Sequence, residues 1–321
     1  MTRPSSVPPP VTAVLDASSR WLPARLGEVE ELLRAAVGGH GETLGADAAA
    51  TLEAGGKRLR PMLVLLCAGP DEDARAARAA AAIELVHMAT LVHDDVLDDA
   101  PLRRGLPTVA ATSGRDRAVA TGDLLFSRAF ALLADAGDSR SVALLADASV
   151  ALAQGELAQR RDAFDLGLSE ERYLYRCRLK TARLFECACL LGRPDDTLRE
   201  FGTEIGLAFQ LLDDVLDVSG PPERTGKARG TDLLDGTVTL PLIEAAKSDP
   251  GIRELDLRAL DAESAEALCD RIAATGALDR VRARAIEMVA NAKAALDRAD
   301  FAPEQRNLLT LVADGVVQRY S

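Results

Sequence analysis

The stretch LVHDDVLDDAPLRRG, residues 91–105, contains an aspartate motif of the form DDxxD at 94–98. The stretch AFQLLDDVLDVSG, residues 208–220, repeats this form at 213–217. On a helix, the first and last aspartates of each motif share one face, and the middle aspartate lies about 100° round. Like charges at this spacing repel each other. The pattern therefore predicts helices whose acidic faces bind cations.

The donor atoms of the two motifs, called here the first and second aspartate motif, indicate which cation they bind. Carboxylate oxygens without Cys or His ligands favour Mg²⁺, which keeps several waters and usually binds one or two carboxylates plus substrate phosphates. Mn²⁺ is expected to substitute for it. We predict that the two motifs face each other and hold one polyanionic substrate from both sides.

Length and composition limit the class of protein. The chain has 321 residues, of which 48% are hydrophobic, so it can bury a large core. A net charge of −12 argues against nucleic-acid binding and against an anionic membrane surface. The five cysteines lack metal-site spacing and indicate reduced thiols in a cytoplasmic protein. No apolar run reaches the roughly 18 residues of a membrane span, so no transmembrane segment is predicted.

Apolar residues recur with a helical period along nearly the whole chain, and no alternating strand pattern is found. The predicted fold class is therefore all-α, with one helical domain at 16–321. The proline-rich N-terminus, 1–15, is predicted to be disordered. The predicted helices cover residues 20–37, 57–68, 73–99, 116–135, 139–164, 169–192, 195–218, 238–247, 254–274, 276–299 and 303–319.

Basic residues near the aspartate motifs extend the predicted metal site into a diphosphate site. The run GGKRLRP, residues 55–61, opens a predicted helix, where exposed backbone amides attract anions. Lys57 and Arg60 share one face of that helix. The pair Arg103-Arg104 follows the first aspartate motif, and arginine matches phosphate oxygens bidentately. Further polar side chains of this set are Lys180, Thr181 and Lys227.

From about Gly55 to Pro241, these motifs resemble, in order and spacing, the all-trans isoprenyl diphosphate synthases, or polyprenyl synthetases. The doubled aspartate motif with GGKRLRP and RRG is specific, because a terpene cyclase would carry a mixed Asn/Ser/Glu second motif. The resemblance implies one large antiparallel helical domain around a central cavity, with both aspartate motifs at its mouth, and a homodimer. It also implies a Mg²⁺-dependent prenyltransferase that condenses isopentenyl diphosphate with an allylic diphosphate.

The resemblance implies roles for individual residues. The Mg²⁺ ligands would be Asp94, Asp98 and Asp213, with catalytic support from Asp95, Asp214 and Asp217. The allylic diphosphate would contact Arg103, Lys180, Thr181, Gln210 and Lys227, of which Lys180 is also counted as catalytic. Isopentenyl diphosphate would contact Gly56, Lys57, Arg60, His87 and Arg104. His87 lies two helical turns before Asp94, where the family has a histidine of the isopentenyl site.

One position departs from the family pattern. Thr237 stands where the family usually has a lysine that contacts the allylic diphosphate. Loss of a charge-assisted contact costs about 1.5–3 kcal/mol of binding. This departure keeps open a second hypothesis, a non-catalytic subunit of a heteromeric synthase, although the intact aspartate motifs argue against it.

Small side chains upstream of the first aspartate motif bear on product length. The predicted cavity floor is formed by Val86, Ala89 and Thr90, with Ala82 below them. In the family, short-chain enzymes place bulky aromatics just before the first motif, whereas here no aromatic residue occurs between Trp21 and Phe126. The resemblance thus favours a product of about C30–C50. Two alternatives remain: a C20 geranylgeranyl product, with Phe126 and Phe130 closing the cavity, or small residues that merely allow close helix packing.

Overall fold

The computed structural model of the chain describes residues 9–70, 74–220 and 229–318. The predicted all-α class is confirmed, since the structure is 78% helical and has almost no strands among its described residues. Its helices are α1 (Pro9–Ala17), α2 (Leu22–Val37), α3 (Leu44–Glu53), α4 (Leu59–Ala68), α5 (Ala74–Leu97), α6 (Val109–Ser113), α7 (Arg115–Ala134), α8 (Ser139–Arg161), α9 (Glu170–Cys177), α10 (Arg183–Gly192), α11 (Asp196–Ser219), α12 (Thr231–Leu234), α13 (Leu240–Ser248), α14 (Ala262–Ala274), α15 (Ala277–Arg298) and α16 (Pro303–Gln318).

The N-terminal part of the chain differs from the predicted disorder at 1–15. Helix α1 begins at Pro9, and the structure is helical from there to Ala17. Two prolines open this helix, where a missing N–H and a fixed φ are tolerated because the first turn has no intrahelical acceptor for its N–H groups. The rest of the predicted disordered stretch lies outside the described residues.

A short hairpin interrupts the helices, although no strand was predicted. Strands β1 (Leu102–Arg103) and β2 (Leu106–Pro107) pair antiparallel around the two-residue turn Arg104-Gly105. Both turn residues have positive φ, 54° and 76°, as in the turn type that matches the twist of paired strands. Strands of two residues are too short to produce an alternating pattern, so the sequence contained no strand signal.

The described residues fall into two compact units, and the boundaries between them lie inside helices α8, α10, α11 and α16 or at the end of α15. Unit 1 takes the described parts of Met1–Ser149, Cys187–Arg199 and Ala299–Val312. Within it, α5 packs against α7, α4 and α2. The stretch of α5 from Ala79 to Val86 is buried on every side, which its alanines permit by letting neighbouring helices approach closely. The single domain at 16–321 stays a prediction.

Unit 2 takes Val150–Glu186 and the described parts of Glu200–Arg298 and Ala313–Ser321. Within it, α15 packs against α13 and α14. Between α9 and α10, the residues Arg178–Ala182 form one turn of π-helix. Such wide turns insert an extra residue into a helix and occur frequently at functional sites. This turn carries Lys180 and Thr181.

One described helix is long and apolar enough to cross a membrane by length and composition alone. This is α8, with a mean hydropathy of 1.2 over its most apolar window, of which 39% is buried inside the protein. The core helix of a soluble protein passes the same test. The finding is therefore weak support for a membrane span, which the sequence did not predict.

A close contact between α8 and the π-helical turn can be tested by substitution. A Cβ at Gly155 would lie 2.5 Å from the backbone nitrogen of Lys180, whereas a Cβ at Gly27 in α2 would meet nothing within 4 Å. We expect Gly155→Ala to lower the free energy of unfolding by about 1–3 kcal/mol through overpacking. Gly27→Ala should raise it by about 0.5–1 kcal/mol. Denaturant unfolding of both variants measures this, and equal effects would contradict the close contact.

Candidate active site

The first aspartate motif lies at the C-terminal end of α5 in unit 1. The helix ends at Leu97, and the N–H of Asp98 still donates to the carbonyl of Asp94 at 2.8 Å, so the two residues lie one turn apart. Asp98 is exposed and Asp94 is half-buried, whereas Asp95 is only 5% exposed. The motif thus divides into outer aspartates at the surface of the unit and a buried middle one.

The hairpin after the first motif positions two predicted diphosphate ligands. From β1, the Nε–H of Arg103 donates to Oδ1 of Asp95 at 2.7 Å, so a positive charge compensates the buried carboxylate. Arg104 occupies the turn itself. A Cβ at Gly56 would lie 3.2 Å from the Arg104 guanidinium, so the glycine permits this close approach. The structure therefore brings the GGKRLRP and RRG motifs together.

A cavity of about 420 Å³ within unit 1 collects several of the predicted residues. Its lining includes Gly55, His87, Asp95, Arg103 and Arg104. Lys57 and Arg60 do not line this cavity: Lys57 is exposed, and Arg60 is largely covered by neighbouring residues. The predicted isopentenyl set is thus only partly assembled around one cavity.

The charge states of two of these residues follow from their surroundings. Burial lowers the pKa of His87 well below its usual value, and the positive charges of Arg60, Arg104, Arg103 and Arg58 lower it further. His87 is therefore neutral near pH 7 and can donate through one ring nitrogen only. Burial also lowers the pKa of Arg60 to about 10, against the raising effect of Glu84, so Arg60 stays positively charged.

The second aspartate motif lies near the end of α11 in unit 2 and divides in the same way. Asp213 is exposed and Asp217 is half-buried, whereas Asp214 is 3% exposed. Two side chains hold the buried carboxylate. Tyr173 donates its hydroxyl hydrogen to Oδ2 of Asp214, and the amide of Gln210 donates to Oδ1 at 2.7 Å. The middle aspartate is thus fixed at both of its oxygens.

Burial raises the pKa of both Asp214 and its donor Tyr173. It raises the pKa of Asp214 to about 8; the negative charge of Asp232 adds to the rise, and the hydrogen bonds from Tyr173 and Gln210 oppose it. Burial and the neighbouring Asp214 likewise raise the pKa of Tyr173 well above its ordinary value. The tyrosine therefore remains a hydrogen-bond donor at every physiological pH.

The π-helical turn places Lys180 and Thr181 beside other residues of unit 2. Lys180 forms an ion pair with Glu156 on α8, and the hydroxyl of Thr181 donates to the Gln210 carbonyl oxygen at 2.6 Å. Burial alone would raise the pKa of Glu156, but the ion pair with Lys180 and a hydrogen bond from Arg160 lower it overall. Glu156 is therefore an anionic partner for the predicted catalytic lysine.

The remaining predicted residues lie apart from the described cavity or outside the described chain. Lys227 falls at a position that the structure does not describe. Val86 and Ala89 are fully buried, Thr90 donates its hydroxyl hydrogen to the His87 carbonyl at 2.8 Å, and none of these floor residues lines the cavity of unit 1. Thr237 is half-buried, and its N–H donates to the carbonyl of Asp232 at 2.8 Å.

The donor set fits a metal that is bound together with a substrate. Among residues 9–70, 74–220 and 229–318, no three His, Cys, Asp or Glu side chains form a ready-made metal cage. Mg²⁺ does not require one, because waters and substrate phosphates complete its octahedral shell. Oxygen donors at the surface of their unit suit this mode of binding, and Asp94, Asp98 and Asp213 are of this kind.

Sequence reasoning missed Tyr173 and the role of Arg58. Tyr173 lies seven residues before Lys180, two helical turns along the same face, and only three tyrosines occur in the chain. That spacing was the one available signal. Arg58, inside GGKRLRP, pairs with Glu30 at 2.6 Å and with Glu84 at 2.9 Å. It links α2 and α5 to the start of α4, and nothing in the sequence distinguished it from its basic neighbours.

Comparisons with known proteins identify the family of the chain. Residues 42–274 match the sequence profile of the polyprenyl synthetase family. The chain is 41% identical over 245 residues to heptaprenyl diphosphate synthase component 2 of Geobacillus stearothermophilus, covering 73% of this chain and 77% of that protein. It is 34% identical over 283 residues to geranylgeranyl diphosphate synthase of Methanosarcina mazei, covering 84% and 87%.

A solved structure extends the likeness to nearly the full chain. The polyprenyl synthase of Caulobacter crescentus CB15, complexed with calcium and isoprenyl diphosphate, is similar with a TM-score of 0.90 and 35% identity. The likeness covers 97% of this chain and 98% of that one. With its doubled aspartate motif and these matches, the chain belongs to the polyprenyl synthetase family and is a prenyltransferase.

Proposed function

We propose that this prenyltransferase condenses isopentenyl diphosphate with an allylic diphosphate in the cytoplasm, giving an all-trans polyprenyl diphosphate. The division of both aspartate motifs carries the proposal: outer carboxylates at the surface of each unit and a buried, hydrogen-bonded middle one. A purely structural acidic helix would gain nothing from exposing like charges one turn apart. Carboxylates that bind metal with a diphosphate require this exposure.

In the proposed site, Asp94, Asp98 and Asp213 hold Mg²⁺, for which Mn²⁺ substitutes. When bound by these carboxylates, the metal would supply positive charge to stabilise the leaving diphosphate. Lys180, on its π-helical turn, and Arg103, oriented by its contact with Asp95, bring further positive charge to the allylic diphosphate. We also assign Lys227 to this set from its sequence position.

The proposed chemistry follows from this distribution of charge. The allylic C–O bond breaks, the electron pair leaves with the diphosphate, and a delocalised carbocation remains. The double bond of isopentenyl diphosphate attacks the cation, and a proton then leaves to the released diphosphate. The protein contributes positioning and electrostatic stabilisation, which suffice without a side-chain base.

We propose that isopentenyl diphosphate binds in unit 1, at Gly56, Lys57, Arg60, His87 and Arg104. Contact between Gly56 and the Arg104 guanidinium supports this assignment, since it joins two anion-binding motifs. The neutral His87 adds a hydrogen-bond donor without adding a positive charge. Arg60 remains charged despite its burial.

For product length, we propose a chain of about C30–C50. The named relatives include heptaprenyl and geranylgeranyl synthases, so the relatives by themselves support both a long and a C20 product. The absence of aromatic side chains upstream of the first aspartate motif favours the long one, with Val86, Ala89 and Thr90 as the proposed floor. The C20 alternative draws on Phe126, whose ring stacks on His93 with centroids 5.9 Å apart.

A second candidate function is a subunit of a heteromeric synthase. Two observations favour it: a relative is named component 2, and Thr237 replaces the usual lysine. An assay of the purified chain alone distinguishes the two candidate functions. The assay contains Mg²⁺, an allylic primer and isopentenyl diphosphate. A homodimer that forms product supports our proposal, and a chain that is inactive until another protein is added supports the second candidate.

Removal of the metal or of its ligands should abolish activity. A chelator should stop turnover, and Asp94→Ala or Asp213→Ala should lower it by about a hundredfold or more, because each removes a ligand of a charge-stabilising metal. Asp99→Asn is the matched control: Asp99 is exposed with a φ of 47°, which asparagine also adopts. Steady-state rates measure this, and near-normal rates in either alanine variant would refute the site assignment.

Restoring a positive charge at Thr237 should strengthen binding of the allylic substrate. We expect Thr237→Lys to lower the KM for the allylic diphosphate by about tenfold, the effect of one charge-assisted hydrogen bond. The KM for isopentenyl diphosphate should change less. The control Thr43→Lys adds the same charge at an exposed residue of unit 1. If both lysine variants lower both constants equally, position 237 does not face the allylic diphosphate.

Enlarging the proposed floor should shorten the product. In the series Ala89→Val, Ala89→Leu and Ala89→Phe, we expect progressively shorter chains at unchanged Mg²⁺ dependence, because bulk fills the cavity and leaves the carboxylates in place. Ala89 is fully buried, so each variant also requires an unfolding measurement. The exposed Ala134→Phe controls for added bulk. Folded variants with unchanged product length would exclude Ala89 from the floor.

A further inference from the structure

Tyr173 is a fully buried polar residue that the proposed reaction does not use. It has 0% exposure and lies on α9, a helix that contributes no other residue to the proposed site. Its hydroxyl hydrogen goes to Oδ2 of Asp214, the middle residue of the second aspartate motif. Both groups are buried. If one of them is removed, water therefore cannot take its place as the hydrogen-bond partner of the other.

This contact is one end of a chain of hydrogen bonds. Asp214 accepts from Tyr173 at one oxygen and from the Gln210 amide at the other, at 2.7 Å. The Gln210 carbonyl oxygen in turn accepts from the Thr181 hydroxyl at 2.6 Å. This chain of hydrogen bonds fixes the orientation of the Gln210 amide. Its NH₂ group faces Asp214, because the amide nitrogen donates and the carboxyl oxygen accepts. Tyr173 and Thr181 thus hold α11 from α9 and from the π-helical turn.

Close backbone contacts also hold α11 one and two turns before Gln210. A Cβ at Gly206 would lie 2.6 Å from Cα of Ala182, and a Cβ at Gly202 would lie 2.7 Å from Cα of Glu186. These contacts set the distance of α11 from the π-helical turn and α10. They do not set the direction of the side chains at the second aspartate motif, which lies further along the helix. The buried hydrogen bonds of Asp214 provide that constraint.

We propose that Tyr173 is a positioning residue of the second aspartate motif, acting through Asp214 to direct Asp213 and Asp217 toward the allylic diphosphate and its metal. Because successive helical residues are separated by about 100°, holding the middle carboxylate inward orients the outer two. Thr181 and Gln210, which the resemblance assigns to the allylic diphosphate, belong to the same chain of hydrogen bonds. This inference rests on the proposed function.

Binding of a non-ionising substrate analogue tests the proposal without turnover. With Mg²⁺ present, calorimetry should show that Tyr173→Phe weakens binding of an allylic thiolodiphosphate by about tenfold, the effect of one lost buried hydrogen bond. Tyr175→Phe is the matched control, since Tyr175 lies on the same helix but is 55% exposed. Its affinity should equal that of the unaltered protein.

A double-mutant cycle separates positioning from packing. If Tyr173 acts through Asp214, Tyr173→Phe should weaken binding in the unaltered protein and have little further effect in an Asp214→Asn background. In steady-state assays, the KM for the allylic diphosphate should rise, and the KM for isopentenyl diphosphate, whose proposed ligands lie in unit 1, should stay within twofold. Unfolding measured without metal establishes that each variant is folded.

Each outcome decides between the alternatives. Additive effects in the cycle, or equal rises in both KM values, would identify Tyr173 as a packing residue and overturn the inference. Unchanged analogue affinity in folded Tyr173→Phe would overturn it as well, with the proposed function intact. If the unaltered protein itself fails to bind the analogue with Mg²⁺, both the proposed function and this inference fail. Should Tyr173→Phe not fold, Thr181→Val tests the other end of the same chain by calorimetry in the unaltered and Asp214→Asn backgrounds. An effect that disappears in the Asp214→Asn background supports the inference, and an effect that persists identifies a direct contact of Thr181 with the analogue and overturns it.

Discussion

Burial of the middle carboxylate in each aspartate motif is the constraint on which the proposed site depends. A carboxylate loses its water on burial and is stable only where a counter-ion or hydrogen bonds replace that water. Arg103 takes the place of water at Asp95, and Tyr173 and Gln210 take its place at Asp214. With the middle residue held inward, helical geometry leaves the first and last aspartates of each motif at the surface of their unit.

The two motifs meet this constraint with different chemistry. Asp95 has a guanidinium partner, and that partner is itself a proposed ligand of the allylic diphosphate, so anchoring and substrate binding share one side chain. Among the described residues, the donors to Asp214 are the neutral side chains of Tyr173 and Gln210, and burial raises the pKa of Asp214 to about 8. In unit 2, the positive charge is placed on Lys180, whose partner is Glu156. The second motif therefore depends more strongly on uncharged hydrogen bonds for its geometry.

The long helices could be predicted from the sequence because they follow from local patterns. The same patterns supplied the candidate site residues, whose roles stay predictions. Helices α5, α7 and α11 lie close to their predicted bounds. The short helices α3 and α6 were missed: α6 has only five residues, and α3, LGADAAATLE, has large apolar side chains only at Leu44 and Leu52. The predicted helix at 254–274 begins only at Ala262, where Asp261 and Ser264 form a capping box. Tyr173 was missed because its contact with Asp214 spans 41 residues of sequence.

Perturbed pKa values often mark catalytic acids and bases, but for three groups of unit 2 we propose an anchoring role instead. The groups in question, Tyr173, Asp214 and Cys177, are buried together in unit 2, and burial is the largest cause of each shift. None of them is exposed to a substrate. A reaction driven by departure of a diphosphate needs charge stabilisation more than proton transfer by a side chain. The shifted groups are therefore better explained by what they hold in place: the exposed carboxylate of Asp213 and the half-buried carboxylate of Asp217.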